Sequence, residues 1–218
     1  MKFKYIPIYF TFLFCLLNVN VYANPLHDAV NQNDIETVKS LLNDDQTLLD
    51  ERDGQQRTPL MLATQHNYVA IAIFLIQSGA DVNAKDRQLD TPYLLAGAQG
   101  YNKILIATLH HGANLKDTNR YGGTALIPAA EKGHPETVQI LLDAGVNPNH
   151  INKLGWTALM EAVVLGNGSS VYVDIINRLI KGGANVNIPD KNGVTALTHA
   201  RQRGYKDIIK LLESANAK

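Results

Sequence analysis

A 33-residue period constrains this chain more than any other feature of its sequence. A threonine that opens a short helical pattern recurs at Thr58, Thr91, Thr124 and Thr157, and again at Thr195 after five extra residues. A period of about 20–50 residues is typical of a solenoid, in which each unit buries its apolar face only by stacking on its neighbours. The sequence therefore predicts an all-α solenoid of about six helix-turn-helix units.

Each unit carries its own start and stop signals. In Thr58-Pro59 and Thr91-Pro92 the hydroxyl can accept a free backbone N–H, while proline occupies a position that needs no donor. A glycine or asparagine, such as Asn67, follows where the first helix should end in a left-handed residue. The second helices then show apolar residues at helical spacing, which we predict as core. These are Val38, Leu41, Leu42, Ile71, Leu75, Ile76, Val138, Leu141, Leu142, Ile208, Leu211 and Leu212.

Together these linked features resemble the ankyrin repeat, from about Pro25 to the C-terminus. The resemblance implies β-hairpin-like loops between units and an ankyrin-repeat domain over residues 24–218. We place the six units at about 25–57, 58–90, 91–123, 124–156, 157–194 and 195–218. Two departures stand out. Leu89 replaces the hairpin glycine and is expected to distort that turn, and the segment 166–170 is expected to lengthen the turn between the helices of unit 5.

Residues 1–23 have the features of a cleaved signal peptide. Lys2 and Lys4 precede an apolar run, and Val21-Tyr22-Ala23 fits the small-x-small cleavage rule. The alternatives are an uncleaved anchor, although the run is shorter than the roughly 20 residues a span needs, and a lipoprotein at Cys15. We therefore expect a periplasmic or secreted protein.

Removal of the signal would leave 18 basic and 20 acidic residues and no cysteine. A slightly acidic chain argues against nucleic acid, which requires a strongly basic face. No later apolar run is long enough to span a membrane. We expect a monomer that binds another protein.

The sequence shows no clear catalytic or metal-binding motif. The adjacent pair His110-His111 lies at a predicted helix end, where histidine caps free carbonyls. An enzyme would need convergent titratable groups, and the candidates Glu131, Glu161, His66 and His199 are spread over four units. We therefore predict a non-enzymatic protein without a metal or cofactor.

In the ankyrin architecture the hairpin tips and first helices line one concave face. Carried onto this sequence, that face is mostly polar except around unit 5. There an apolar and aromatic cluster is typical of a protein-binding hot spot. The cluster consists of Tyr121, Leu154, Trp156, Val164 and Leu165, rimmed by Arg120, Lys153 and Glu161. Alternatively, Trp156 folds over the inserted loop or stiffens the hairpin, and Val164 and Leu165 pack against the loop.

Two segments, 130–138 and 152–162, resemble a group of exported bacterial ankyrin-repeat proteins. The resemblance implies several possible roles. Some members are linked to periplasmic catalase and oxidative-stress protection, and bacterial ankyrin proteins also occur as immunity partners of secreted toxins. A host-directed effector is a third alternative.

Overall fold

The computed structural model describes residues 24–218, and every regular element in that part of the chain is helical. Within these residues twelve α-helices form six consecutive pairs, which confirms the predicted all-α solenoid. The first helices are α1 (Pro25–Asn31), α3 (Pro59–Gln65), α5 (Pro92–Gln99), α7 (Leu126–Glu131), α9 (Ala158–Val164) and α11 (Ala196–Arg203). The second helices are α2 (Ile35–Asp44), α4 (Val69–Gln77), α6 (Asn102–His110), α8 (Pro135–Asp143), α10 (Ser170–Lys181) and α12 (Lys206–Ser214). A 3-10 helix, Gln46–Asp50, follows α2. The predicted signal peptide lies outside the described residues.

The helices stack in two rows. Each first helix packs on the first helix of the next unit, from α1 through α11, and the second helices form a parallel row behind them. One continuous apolar cluster runs between the rows, from Leu26 to Leu212. Of the predicted core residues, Leu41, Leu142 and Leu211 are only half-buried, and the others are buried. Stability therefore comes from burial between adjacent units, as expected for a solenoid.

Four of the five repeat threonines cap a helix as predicted. The hydroxyls of Thr58, Thr91, Thr157 and Thr195 accept hydrogen bonds from the backbone N–H three residues later, at 3.1–3.4 Å. Thr124 is the exception, because its buried hydroxyl has no partner among the described residues. The cause is Pro128, which has no N–H to donate to the Thr124 carbonyl. Ile127 N–H donates there instead, at 3.2 Å, and α7 begins one residue late.

The hairpins share one polar turn. In each, a side-chain Oδ1 accepts the backbone N–H groups two and four residues later, at 2.8–3.1 Å. The residues that do this are Asp53, Asp86, Asn119, Asn152 and Asp190. Backbone bonds join some neighbouring hairpins, including Lys153 N–H to the Tyr121 carbonyl at 3.0 Å. The tips are therefore held in fixed positions along the solenoid.

Leu89 does not distort its turn, contrary to the expectation from sequence. It takes a left-handed conformation (φ 64°), close to that of Gly122 at the same position of the next hairpin (φ 74°). Its N–H donates to the Asp86 carbonyl at 3.1 Å, as Gly122 N–H does to Asn119 at 2.9 Å. The turn is preserved, and the energetic cost falls on the leucine backbone.

Leu89→Gly is therefore expected to raise the free energy of unfolding by about 1 kcal/mol, because a left-handed backbone costs a residue with a Cβ roughly that amount. Urea denaturation measures the change. The matched control is Gly193→Ala, where φ is 78° and an added Cβ would have nothing within 4 Å. That variant should lose a similar amount, and no gain for Leu89→Gly would contradict the assignment of strain.

Asparagine side chains link the turns that follow the second helices. Asn83 donates to the Gly112 carbonyl at 3.0 Å and accepts from Asn114 N–H at 2.8 Å. Asn149 and Asn187 make the corresponding bonds to the units that follow them. Between units 3 and 4 this position holds the exposed Lys116 in place of asparagine.

The inserted segment of unit 5 does more than lengthen a turn. Helix α10 has 12 residues, whereas α4, α6, α8 and α12 have nine each, so part of the insertion forms an extra helical turn. Tyr172 on that turn donates to the Glu131 carbonyl at 2.8 Å, and Tyr205 of unit 6 donates to the Gly166 carbonyl at 3.1 Å. The insertion is thereby tied to both neighbouring units, and α10 still packs on α8 and α12.

Candidate functional site: the concave groove

The hairpins and first helices of units 2 to 5 line a groove that contains two adjoining cavities. The first, of about 390 Å³, lies beside hairpins 86–90 and 119–123. The second, of about 270 Å³, lies beside hairpins 119–123 and 152–156. Both are lined by Asn119, Tyr121, Pro128 and Glu131. Tyr121 therefore lies at the junction of the two.

The second cavity brings together four of the residues singled out from sequence. Tyr121, Leu154 and Leu165 line it and remain 56%, 53% and 49% exposed. Glu161 also lines it but is 4% exposed, so it belongs to the floor rather than the rim. Large apolar side chains left in solvent around a cavity are typical of a binding surface.

Trp156 and Val164 are placed differently from the expectation. Both are half-buried against the apolar core, and neither lines either cavity. The backbone of Trp156 closes its hairpin, because its N–H donates to Asn152 Oδ1 at 3.0 Å and its carbonyl accepts Asn152 N–H at 3.0 Å. The equivalent residues of the other hairpins make the same backbone bonds, so this closure does not depend on the Trp156 side chain.

The two cations of the predicted rim hold neighbouring hairpins. The Arg120 guanidinium carbon lies 4.8 Å from the centroid of the Tyr121 ring, and the group donates to the Gln88 side chain. Lys153 Nζ donates to the Arg120 carbonyl at 2.8 Å. The exposed ring of Tyr121 is thus positioned by a cation–π contact.

The carboxyl group of Glu161 is buried and only partly hydrogen-bonded. Asn152 Oδ1 already accepts two backbone N–H groups, so its amide presents Nδ2, which donates to Glu161 Oε1 at 2.8 Å. Glu161 Oε2 is buried and has no hydrogen-bond partner within residues 24–218. Burial, with the nearby charge of Glu131 as a smaller cause, raises the pKa of Glu161 to about 7.

The first cavity has mixed charge. Burial and the neighbouring charge of Asp86 raise the pKa of Asp90, and the cations Arg120 and Lys132 act in the opposite direction. The Arg120 guanidinium lies 4.0 Å from the Asp90 carboxylate. This half of the groove is suited to polar contacts, whereas the second half places exposed apolar side chains around a buried carboxyl.

Sequence reasoning missed the pairing of Asn152 with Glu161. A signal was present, because Glu161 occupies the position of Leu62, Leu95 and Pro128 in units 2 to 4. The equivalent residues of unit 6 are also in contact, but there the acid lies in the turn. His199 on the helix contacts Asp190 in the turn at 2.9 Å. A polar residue at this helix position therefore marks a contact to the hairpin.

The other titratable groups do not converge. Glu131 and Glu161 line one cavity, whereas His66 stacks on Tyr68 with ring centroids 5.1 Å apart and His199 contacts Asp190. The part of the chain that the structure describes contains no group of three or more His, Cys, Asp or Glu side chains able to hold a metal. Within the same residues, no helix has the length and apolar character needed to cross a membrane.

Comparison with known proteins identifies the family. The family described as ankyrin repeats (three copies) matches residues 8–86 and 94–173. The chain belongs to the ankyrin-repeat family, whose fold is a protein–protein interaction module.

Solved structures agree with this assignment. An ankyrin repeat domain from Acinetobacter baumannii AYE is 60% identical, with a TM-score of 0.87 over 89% of this chain and 98% of that one. A second ankyrin repeat protein is 45% identical, with a TM-score of 0.84 over 87% and 96% of the two chains. The ankyrin repeat domain of Bcl-3, a member of the IkappaB family, is 32% identical, with a TM-score of 0.80 over 89% and 86%.

A curated relative is similar only over a short segment. The serine/threonine-protein kinase VIK of Arabidopsis thaliana is 45% identical over 55 residues, which is 25% of this chain and 13% of the kinase.

Proposed function

We propose that this chain is a non-enzymatic binding protein that holds a protein partner in its concave groove. The observation that carries the proposal is the second cavity, where Tyr121, Leu154 and Leu165 are about half-exposed around a buried carboxyl. Aromatic and apolar side chains surrounded by polar groups are enriched in binding hot spots. Burial of the three against a partner would remove apolar surface from water, which favours association.

The location of this activity rests on sequence alone. We propose that residues 1–23 direct export and are removed, leaving a chain that starts at Asn24 and acts in the periplasm or outside the cell. Lys2, Lys4 and the Val21-Tyr22-Ala23 site support this proposal.

The biological role of the bound partner is a separate proposal. From the resemblance of segments 130–138 and 152–162, we propose a link to catalase and protection from oxidative stress. An immunity protein against a secreted toxin, or a host-directed effector, would use the same groove and differ only in what fills it. The identity of the captured partner distinguishes these roles.

The test is a cross-linked pull-down from a periplasmic extract of the source organism. The bait is purified from cells that express the full chain, as wild type and as Tyr121→Ser/Leu154→Ser. We expect the double variant to capture the partner at least about tenfold less well, because hot-spot residues contribute energy well beyond their share of contact area.

The control is Ile106→Ser on α6. Ile106 is also exposed, at 40%, but lines a cavity between α6 and α8 rather than the groove. Capture that survives the double substitution, or is lost with Ile106→Ser, would move the binding surface out of the groove.

A further inference from the structure

The second cavity has an acidic floor and wall. Glu161 forms part of the floor, and the half-buried Glu131 lies on the wall shared with the first cavity. The amide of Asn152 satisfies Oε1 of Glu161 and leaves Oε2 unpartnered within residues 24–218. A buried carboxyl oxygen without a partner is costly, and ordinary folding stability gives no reason to retain it.

The amide oxygens around the cavity are already occupied. The Oδ1 atoms of Asn119 and Asn152 are both occupied by backbone N–H groups, and Asn152 Nδ2 is used by Glu161. The acceptors left for a ligand are therefore the carboxylates of Glu131 and Glu161, while Asn119 Nδ2 and the Tyr121 hydroxyl remain as neutral donors. Charge complementarity thus favours a donor with a positive charge.

The rest of the lining is apolar. Leu154, Leu165 and Ile127 surround the acids, and the ring of Tyr121 lies beside them. A long cationic side chain has a matching pattern, because its methylene stem packs on apolar surface while its charged head reaches the acids. Arginine and lysine share this pattern.

We propose that the second cavity is a subsite for a cationic side chain, arginine or lysine, of the protein partner. The inference rests on the proposed function, since the side chain is supplied by the protein bound in the groove. The cationic head lies between Glu131 and Glu161, and the stem lies against Leu154 and Leu165. The nearby positive charge stabilises the ionised form of Glu161, reversing the effect of burial on its pKa.

The probe is N-acetyl-arginine methylamide, and its matched control is the citrulline analogue, which keeps the shape but replaces the guanidinium with a neutral urea. Titration is followed by NMR at the Asn152 side-chain amide and the Leu154 and Leu165 methyl groups. The protein is purified from cells expressing the full chain, as wild type, Glu161→Gln, Glu131→Gln and Glu36→Gln. Glu36 is exposed on α2 in unit 1, far along the solenoid, and serves as the control site.

We expect saturable shifts with the arginine probe and at least about tenfold weaker binding of the citrulline probe, because charge-assisted hydrogen bonds are the stronger ones. Glu161→Gln and Glu131→Gln should each remove most of that preference, and Glu36→Gln should retain it. Thermal unfolding at pH 6 checks that each variant is folded. Equal binding of the two probes, no saturable shift at these residues, or an unchanged preference in Glu161→Gln would overturn the proposal.

The pull-down separates this inference from the proposed function. If Glu161→Gln captures the partner as well as wild type while Tyr121→Ser/Leu154→Ser does not, the groove binds a protein but the cationic subsite is wrong. If the double variant captures normally, the proposed function fails, whatever the probes show.

Discussion

Replacing Gly97 with valine is expected to destabilise the solenoid by about 2 kcal/mol, because overpacking a tight contact typically costs 1–3 kcal/mol. Gly97 lies inside α5 and faces the start of the next unit. A Cβ added there would come within 2.8 Å of the Ala125 Cβ, and the Ala125 backbone is 3.7 Å away. Since neither group can rotate aside, units 3 and 4 would have to separate.

Urea denaturation measures the effect, and two variants control it. Ala98→Val places the same β-branched residue next along α5, at a half-buried groove position, and reports its helix propensity. Ala125→Gly removes the facing methyl group and should partly restore Gly97→Val in a double-mutant cycle. Additive losses in that cycle would show that the two positions do not set the spacing between units.

Glu161→Gln is expected to stabilise the protein at alkaline pH by about 2 kcal/mol and to have little effect at pH 4. The pKa of Glu161 is raised from 4.5 to about 7 in the folded protein, mainly by burial. Below pH 4.5 the group is protonated in both states, and its contribution is fully present. That stability is lost as the pH rises through about 7, because the folded protein must then hold a buried carboxylate. A tenfold change in an acid's dissociation constant corresponds to about 1.4 kcal/mol. We expect less than the full sum because relaxation and water penetration reduce the cost of a buried charge.

The measurement is the difference in unfolding free energy between wild type and Glu161→Gln from pH 4 to pH 8.5. Taking the difference cancels groups that titrate identically in both proteins. Glu131→Gln should shrink the difference, since the charge of Glu131 is the second cause of the raised pKa. A difference that does not change with pH, or that grows toward acid pH, would contradict this account of Glu161.

Position 161 shows how stability and binding are related here. Glu161→Gln would remove the loss of folding stability at alkaline pH, yet the proposed cationic subsite needs the carboxylate. Proteins commonly have reduced folding stability at sites that are organised for binding. We therefore expect Glu161→Gln to be more stable and less selective at pH 8.

The repeat itself was predictable from sequence for a physical reason. Each 33-residue unit makes the same contacts, so Leu75 and Leu141 occupy equivalent core positions. The core positions of one unit therefore predict those of the others. The threonine caps follow from local hydrogen bonding, which depends on only four residues. Capping residues and apolar spacing, repeated along the chain, therefore predicted the helices, their ends and most of the core.

The departures depend on contacts that a repeat pattern does not contain. Thr124 fails as a cap because of Pro128, four residues later. Part of the insertion in unit 5 forms a helical turn, on which Tyr172 donates to the Glu131 carbonyl in the preceding unit. Glu161 was expected at the rim and is buried, because the hairpin residue Asn152 offers an amide donor at 2.8 Å.

The groove residues were predictable only in part, because their exposure also depends on contacts with neighbouring units. Tyr121, Leu154 and Leu165 are exposed because their positions are not needed for stacking between units. Trp156 and Val164 belong to the same stretch of sequence, but both pack against the apolar core. Exposure at a hairpin depends on the shape of the neighbouring unit, which a pattern of residue types does not specify.

Photo-cross-linking in cells tests the central claim most directly. A benzoylphenylalanine is placed at Leu154 in the groove or at Ile106 on α6 in the full chain, and the adducts are resolved by mass spectrometry. We predict one specific partner adduct from position 154 and none from position 106. An adduct of that partner formed from position 106 and absent from position 154 would contradict the assignment of the groove as the binding surface.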